Sequence, residues 1–205
     1  MTAETITTNR AGTPIHPAWV RVCHWINAVA ILVMIGSGWQ IYDASPLFNF
    51  TFPRQFALGN WLAGAIQWHF AAMWLLVVNG LVYLALGLYT GRFRRKLTPI
   101  YPSDLFADIK AAFTFKLAHD DLAHYNAVQK VLYIGVILCG VGIVLSGLAI
   151  WKPVQFQELT ALFGGYDVAR YVHFFAMAAI VGFLIVHVAL ALIVPKSLRA
   201  MVTGR

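Results

Sequence analysis

Four long, uninterrupted apolar segments limit what this sequence can fold into more than any other feature. They cover about residues 19–41, 61–89, 128–151 and 168–194, and each has the roughly 20 residues that a helix needs to cross about 30 Å of hydrocarbon. Because a bilayer holds no water to satisfy backbone N–H and C=O groups, segments of this kind must be helical. The sequence therefore predicts an all-α integral membrane protein in which four transmembrane helices form a single up-and-down bundle.

Charged residues are scarce and lie mainly at one end of the predicted bundle. Only 11% of the 205 residues are charged, compared with about 25% in a typical soluble domain. With four spans, twelve of the fifteen Lys and Arg residues fall on the side that holds both termini and the 91–126 connection. The positive-inside rule predicts that this side is cytoplasmic, in a bacterial inner membrane. The net charge of +7 therefore reflects contact with membrane lipid, and no nucleic-acid partner is predicted.

Motifs for iron–sulfur clusters, structural zinc and secretion are missing from the sequence. The two cysteines, Cys23 and Cys139, both lie inside apolar segments, and no CxxC motif or Cys/His cluster occurs. The first 19 residues lack a short apolar run followed by a small-residue cleavage site, so we expect no removable signal peptide. No internal repeat is evident either.

The connections between the apolar segments differ in character. The two on the outer side, at about 42–60 and 152–167, are rich in Pro, Gly and aromatic residues. This composition suits contact with a periplasmic partner as well as it suits ordinary capping loops. In the cytoplasmic connection, Ser103 or Asp104 can cap a short amphipathic helix on the membrane surface. The apolar face of that helix would comprise Leu105, Ile109, Phe113 and Phe115.

Four histidines lie inside the apolar segments, where uncompensated polar groups are costly. The other three, His16, His119 and His124, fall in polar regions. A single intramembrane histidine is explained as readily by a helix–helix hydrogen bond as by a ligand role. Four of them arranged by depth favour a ligand role for the set, which comprises His24, His69, His173 and His187.

The spacing of the two histidines in the fourth segment indicates the size of the ligand. His173 and His187 are fourteen residues apart, a helical rotation of about 1400°, which leaves them on nearly the same face. The same spacing separates them by about 21 Å along the helix axis. One metal ion cannot bridge that distance, whereas two large cofactors stacked across the membrane can each use one histidine.

Each of these two histidines has a partner at its own depth. His24 lies roughly 8 Å from the inner end of the first segment, and His187 lies roughly 11 Å from the inner end of the fourth. His69 and His173 lie about 12 Å and 8 Å from the outer side. Pairing His24 with His69 would instead bridge opposite leaflets. The pairs His24–His187 and His69–His173 therefore predict two bis-histidine haem sites inside the bundle.

Small residues and arginines near the histidines are compatible with this interpretation. Glycines leave space for a porphyrin, although close helix–helix contact explains each one equally well. Arg21 and Arg170 each lie three residues before a histidine at a membrane boundary, where they can meet a haem propionate or extend to lipid phosphate. The small residues are Gly36, Ser37, Gly38, Gly80, Gly87, Gly135, Gly140, Gly142, Gly147 and Gly182.

Motifs in all four segments resemble one family of membrane proteins. In chain order they are "RVCHWINAV", "WHFAAMW", "HYNAVQK" and the H-x13-H spacing of "YVHFFAMAAIVGFLIVHVALALIV". Together they are similar to the bacterial cytochrome b561 and nickel–iron hydrogenase b-type cytochrome family. That family includes the membrane subunits of formate dehydrogenase and thiosulfate reductase. The resemblance extends over nearly the whole chain from Pro17 onward.

The resemblance implies cofactors and partners. It implies two haem b groups, whose ligands would be the four intramembrane histidines, and a ubiquinone or menaquinone that exchanges electrons with one haem. Family members typically anchor a periplasmic catalytic or electron-carrier subunit of the molybdopterin oxidoreductase or hydrogenase type. The segment "TPIYPSDLFADIKAAF", followed by "HYNAVQK", is most similar to members that accompany molybdopterin oxidoreductases.

These observations favour a transmembrane electron carrier between a periplasmic partner and the quinone pool, with no catalytic triad. The alternative is a stand-alone superoxide oxidase that reduces quinone, which would need a basic outer pocket. A transporter that relays protons is disfavoured, because no acidic residue lies deep in a span. Candidates for a quinone site, each of which also has a simple structural explanation, are His16, Asn126, Gln129, Lys130 and Tyr133.

Overall fold

The computed structural model describes residues 15–113 and 125–204, and the described residues are mainly helical. Four helices are long and apolar enough to cross a membrane, and their ends differ from the predicted segments by three residues at most. This confirms the predicted all-α membrane protein. The helices are α1 (Ala18–Ala44), α2 (Leu62–Tyr89), α3 (Arg92–Leu97), α4 (Pro102–Phe113), α5 (Ala127–Trp151), α6 (Gln157–Leu162), α7 (Tyr166–Ile193) and α8 (Pro195–Thr203).

Short helices occur in the connections between the long helices and after the last of them. The 91–126 connection opens with one, because Gly91 adopts a φ of 63°, which ends α2 and lets α3 start at once. Similarly, α8 follows α7 directly and begins at Pro195, whose fixed φ and missing N–H suit a first helical position. The outer connections contain α6 and a 3-10 turn at Arg54–Phe56.

The predicted amphipathic helix is present as α4, but its start is not where the sequence suggested. It begins at Pro102, so Ser103 and Asp104 lie in its first turn and do not precede it. Proline is favoured there for the same reason as in α8. Three residues named in the sequence analysis, Phe115, His119 and His124, lie outside the described residues.

The long helices pack as two close pairs, α1 with α2 and α5 with α7. In lipid, helix pairs are held by small residues and by polar contacts, because apolar surface has no preference for protein over acyl chains. The first pair contains such a contact, since Asn79 donates to the Cys23 carbonyl oxygen at 2.8 Å and to Asn27 Oδ1 at 2.7 Å. The two helix pairs contact each other mainly through side chains. We call the space between the α1–α2 pair and the α5–α7 pair the interior gap.

Both ends of the described chain meet at one end of the bundle, which we call the terminal end. The Ile15 N–H donates to the Gly204 carbonyl oxygen at 2.8 Å. Arg21 Nη1 donates to the Val202 carbonyl oxygen at 2.7 Å, and Trp25 Nε1 to that of Met201 at 3.4 Å. These groups satisfy carbonyls that the last turn of α8 leaves without helical partners.

The opposite end, which we call the distal end, is closed by the connection between α1 and α2. The Leu58 N–H donates to the Gly36 carbonyl oxygen at 2.9 Å, which fixes the connection against the middle of α1. Arg170 Nη2 donates to the Ser45 carbonyl oxygen at 2.6 Å and joins the two helix pairs. Aromatic rings complete the closure, with neighbouring centroids 4.6–6.3 Å apart among Trp39, Tyr42, Phe48, Phe50, Phe52 and Phe174.

Gly64, at the start of α2, should not tolerate a side chain. A Cβ there would collide with the Gly59 carbonyl oxygen and the Trp61 ring, and Gly59 itself is packed against the Ala65 backbone. Because a backbone atom cannot move aside, we expect Gly64→Ala to lower the free energy of unfolding by about 1–3 kcal/mol. Thermal unfolding of the purified protein in detergent measures this.

The matched control is Gly182→Ala, because a Cβ at Gly182 would meet nothing within 4 Å. Gly182 is nine residues after His173 and therefore faces away from the interior gap. This control should unfold like the parent protein or slightly later, as alanine favours helix. Equal unfolding temperatures for the two variants would contradict the proposed backbone contact.

Candidate functional site

The structure brings the four intramembrane histidines together in the two pairs expected from their depths. The rings of His24 and His187 face each other near the terminal end, with centroids 5.9 Å apart. Those of His69 and His173 face each other toward the distal end, 6.4 Å apart. We call these the terminal pair and the distal pair. Both pairs join the α1–α2 unit to α7, so the histidines line the gap between the two helix pairs.

The separation within each pair suits a metal ion between the rings. Two imidazole nitrogens, each about 2 Å from a shared ion, would hold the ring centroids roughly 6 Å apart. The observed values of 5.9 and 6.4 Å lie close to this. All four rings are only half-buried, which leaves them accessible from the gap.

The distal pair is held by hydrogen bonds at the Nδ1 atoms. His69 Nδ1 lies 3.0 Å from Ser37 Oγ, on α1, and His173 Nδ1 lies 3.1 Å from Ser146 Oγ, on α5. Both serines are fully buried. These contacts leave the Nε2 atoms without a partner among the described residues, so they remain free to bind a metal.

The terminal pair has a different environment. His24 meets the Trp25 ring edge to face with centroids 5.3 Å apart, and His187 stacks on Phe183 at 5.6 Å. Within residues 15–113 and 125–204, neither ring has a side-chain hydroxyl partner comparable to the serines of the distal pair. The terminal pair is therefore packed among aromatic rings, whereas the distal pair is hydrogen-bonded.

The glycines named from the sequence fall into three groups. Those that serve close packing are Gly36, whose Cβ would lie 3.2 Å from Leu58 Cβ, and Gly87, whose Cβ would strike the Phe93 ring. A second group faces histidine rings: a Cβ at Gly38 would lie 3.5 Å from His69 Cε1, and one at Gly147 would lie 3.3 Å from His173 Cε1. A Cβ would meet nothing within 4 Å at the remaining five, which are Gly80, Gly135, Gly140, Gly142 and Gly182.

Two glycines of the third group open the gap on the ligand-bearing faces. Gly80 is eleven residues after His69, and Gly135 is eleven residues before Ser146. Eleven residues correspond to about 1100° of helix, within about 20° of three full turns. Both glycines therefore lie on the interior faces of α2 and α5, where they leave room between the two histidine pairs.

The two predicted arginines are both partly occupied by protein groups. Arg170 contacts Ser45, through the carbonyl oxygen and through Oγ at 3.1 Å. Arg21 uses Nη1 to bind the Val202 carbonyl oxygen, while its Nε is buried and has no hydrogen-bond partner among the described residues. Trp39 Nε1, next to Gly38, is a second buried donor of this kind. Each histidine pair thus has one unsatisfied donor nearby, which an acidic group of a ligand could satisfy.

Comparison with known proteins identifies the family. The sequence model described as prokaryotic cytochrome b561 matches residues 15–204. The chain belongs to this family. A protein of Azospira oryzae named as a protein-methionine-sulfoxide reductase subunit, YedZ1, is 52% identical over 190 residues, which cover 93% of this chain and 96% of that protein. A protein of Bradyrhizobium diazoefficiens named as a Ni/Fe-hydrogenase B-type cytochrome subunit is 24% identical over 191 residues, covering 85% and 75%.

Membership of a cytochrome b family implies membrane electron transfer and haem b, and the donor set fits that group. Among the described residues, no three His, Cys, Asp or Glu side chains converge on one metal position. Each histidine pair instead offers two ring nitrogens, one from each imidazole. The other coordination positions must be filled by the bound group, as the four nitrogens of a porphyrin would do.

Sequence analysis missed the two serines of this cytochrome that contact the distal histidines, and it missed the pattern that reveals them. Ser37 was noted only as a small residue, and Ser146 was not singled out. Each starts a Ser-Gly dipeptide, in α1 and α5, while α2 and α7 carry "HFAAM" and "HFFAM" from His69 and His173. The expectation that the sequence has no internal repeat is therefore wrong.

The residues proposed for a quinone site fall into two groups. Some form structural hydrogen bonds, and the others belong to a polar cluster at the terminal end. Asn126 and Gln129 form a reciprocal capping box at the start of α5, and Lys130 Nζ donates to the Pro99 carbonyl oxygen at 2.9 Å. Tyr133 instead packs against Tyr125, with ring centroids 5.0 Å apart. His16 is buried with Nδ1 3.3 Å from Arg92 Nη2, and Arg92 also hydrogen-bonds the side chain of Tyr125.

Protonation of His16 should destabilise the cytochrome. Burial, followed by the charges of Arg92, Lys96, His24 and Arg21, lowers the pKa of His16 from 6.5 to about 4. Between these values the unfolded chain binds a proton that the folded protein does not, so stability falls as the pH falls. We expect a loss of roughly 1–2 kcal/mol from this group between pH 7 and pH 5, seen as a lower unfolding temperature.

The control is His16→Gln, which keeps an acceptor for Arg92 but does not titrate. The difference between the parent protein and this variant removes the contribution of other titrating groups. The parent should lose more stability than the variant over the same pH range. Identical pH profiles would show that His16 is not held neutral.

Proposed function

We propose that the protein is the membrane electron-transfer subunit of a quinol-linked reductase, holding two haem b groups at its two histidine pairs. The observation that carries the proposal is the presence of two facing imidazole pairs on a continuous α7, about 21 Å apart along the axis. In this proposal His24 and His187 are the ligands at the terminal end, and His69 and His173 those at the distal end. Bound haem would supply reversible one-electron chemistry through its iron.

The protein's own contribution is to hold, separate and shield the two positions. The helix pairs provide the walls, α7 fixes the spacing, and the aromatic closure at the distal end keeps water from the interior. Arg21 Nε and Trp39 Nε1 are available for the acidic groups of a porphyrin. Arg170, the other arginine predicted to meet a haem propionate, is the weaker candidate for that role, because both of its described hydrogen bonds are to Ser45.

The distribution of charge supports one orientation of the protein in the membrane. The terminal end carries most of the basic residues, so we place it, with both termini, in the cytoplasm. The distal end, with the aromatic connection and α6, would then face the periplasm and meet the partner. The polar cluster around His16, Arg92 and Tyr125 lies at the cytoplasmic end of the gap and supports contact with a ubiquinone or menaquinone there.

Similarity to relatives supports a reductase as the partner. The relative named as a methionine-sulfoxide reductase subunit shares 52% of its residues over almost the full length of both chains, whereas the hydrogenase-type relative shares 24%. A quinol releases two electrons and two protons, and reduction of methionine sulfoxide to methionine and water consumes the same number. We therefore propose a periplasmic catalytic subunit that reduces protein methionine sulfoxide, a class of damage that cells repair.

Haem content tests the ligand assignment. The purified protein should contain two haem b per chain, measured by extraction and by the reduced-minus-oxidised α-band. His69→Ala should reduce this to one by removing an axial ligand of the distal site, and His24→Ala should remove the other. His16→Gln, a histidine substitution outside the spans, should retain both. A protein without a b-type α-band, or loss of both haems in every variant, would contradict the two-site assignment.

Electron delivery tests the partner. Quinol is first added to host membranes to reduce the cytochrome. Methionine sulfoxide should then reoxidise the cytochrome, measured as loss of the b-type α-band. This should be at least tenfold faster than in membranes of the His69→Ala variant. Removing the soluble periplasmic fraction should abolish the effect. Two results would overturn the proposal in favour of another function. One is reoxidation that needs no partner together with quinone reduction by superoxide, and the other is reduction of the band by hydrogen gas.

A further inference from the structure

The protein contains one arrangement of histidine, serine and glycine twice. In the α1–α2 pair, Ser37 Oγ lies 3.0 Å from His69 Nδ1, and Gly38 faces His69 Cε1. In the α5–α7 pair, Ser146 and Gly147 make the same contacts with His173. The backbone takes part in the second of these arrangements, where His173 Nδ1 also lies 3.1 Å from the Ile143 carbonyl oxygen, three residues before the serine.

The hydrogen bonds of the two serines determine which nitrogen of each distal histidine ring carries the proton. Ser37 Oγ lies 2.6 Å from the Val33 carbonyl oxygen, and Ser146 Oγ lies 2.8 Å from that of Gly142. A hydroxyl has one hydrogen, and carbonyl oxygens only accept, so each serine donates to its own helix. Its oxygen must then accept from the histidine, which places the proton on Nδ1. Nε2 therefore keeps the lone pair that a metal requires.

The terminal pair does not follow the repeat. His24 is thirteen residues before Ser37, and the position thirteen before Ser146 is Tyr133. His187 is fourteen residues after His173, and the position fourteen after His69 is Tyr83. Each half thus contributes one histidine and one tyrosine at this level. As described above, the terminal rings pack against Trp25 and Phe183, and within the described ranges no serine accepts a hydrogen bond from them.

We infer that Ser37 and Ser146 are positioning residues that set the reduction potential of the haem held by His69 and His173, and of that haem alone. This inference rests on the bis-histidine ligation in the proposed function. An acceptor at Nδ1–H increases the electron density on Nε2 and makes the imidazole a stronger donor to iron. Stronger donation stabilises the ferric more than the ferrous state, so the two serines lower the potential of the distal site. Among the described residues, no comparable hydroxyl contacts a histidine of the terminal pair.

A redox titration of the purified holoprotein, followed at the α-band, tests this inference. Ser37→Ala and Ser146→Ala should each shift the distal transition to higher potential, and the double variant should shift it further. The terminal transition should stay in place, and two haems per chain should remain. The distal transition is identified as the one that His69→Ala removes. An unchanged distal potential at full haem content, or an equal shift of both transitions, would overturn the inference.

The matched control is Thr90→Val at the end of α2. Thr90 Oγ1 donates to the Leu86 carbonyl oxygen at 2.6 Å, the same bond that each serine makes to its helix, but the hydroxyl bonds to none of the described histidines. Its removal should leave both potentials unchanged. A shift of the distal transition in this variant as large as that in the serine variants would show that helix distortion is the cause, which contradicts the inference.

A second substitution covers the case in which an alanine variant loses the distal haem. Ser37→Cys and Ser146→Cys fill the same space and keep a weaker acceptor, so the distal potential should rise by less than full removal would cause. An unchanged potential in both cysteine variants would overturn the inference. Failure of the underlying function is recognised separately, because the parent protein would then lack a distal transition that depends on His69.

Discussion

The cost of placing imidazole rings in hydrocarbon governs this structure. A ring nitrogen without a partner inside a bilayer costs several kcal/mol, and the spans carry four histidines. In the distal pair, serine hydroxyls, and at His173 also a backbone carbonyl, satisfy the Nδ1 atoms and leave the Nε2 atoms without a partner among the described residues. Protein groups complete one side of each distal ring and leave the other side to a ligand. In the proposed function, haem ligation by such a pair would satisfy the remaining nitrogens, so the contacts that stabilise the rings in lipid would also prepare the site.

The loose contact between the two helix pairs follows from the same requirement. Close packing of α1 on α2 and of α5 on α7 leaves a gap bridged by histidine rings, by Arg170 at the distal end and by aromatic side chains. Apolar helices in lipid gain little from closing such a gap by themselves. A bound porphyrin on each side of the open glycines would fill it. In a protein built this way, the cofactor contributes to assembly as well as to electron transfer.

Sequence alone predicted the spans and the pairing of the histidines, because both depend on regular helical rise and rotation. His173 and His187 lie on one helix, so 1.5 Å per residue fixes their separation. The short helices were less predictable, since the turn at Gly91 and the start at Pro102 depend on local backbone geometry. The roles of Arg21 and Asn126 could not be read from spacing either. Each depends on which carbonyl or N–H group lies within reach after the chain ends and connections have folded.

The internal repeat gives the difference between the two sites a structural origin. A strictly repeated protein would place equivalent groups on either side of both levels, and the distal level does so with His69 and His173. At the terminal level the repeat instead supplies two histidines and two tyrosines, in diagonal positions. Only one histidine pair can then form there, and no serine in the described part of the chain hydrogen-bonds to it. In the proposed function, haems held at two sites that differ in this way would have different reduction potentials.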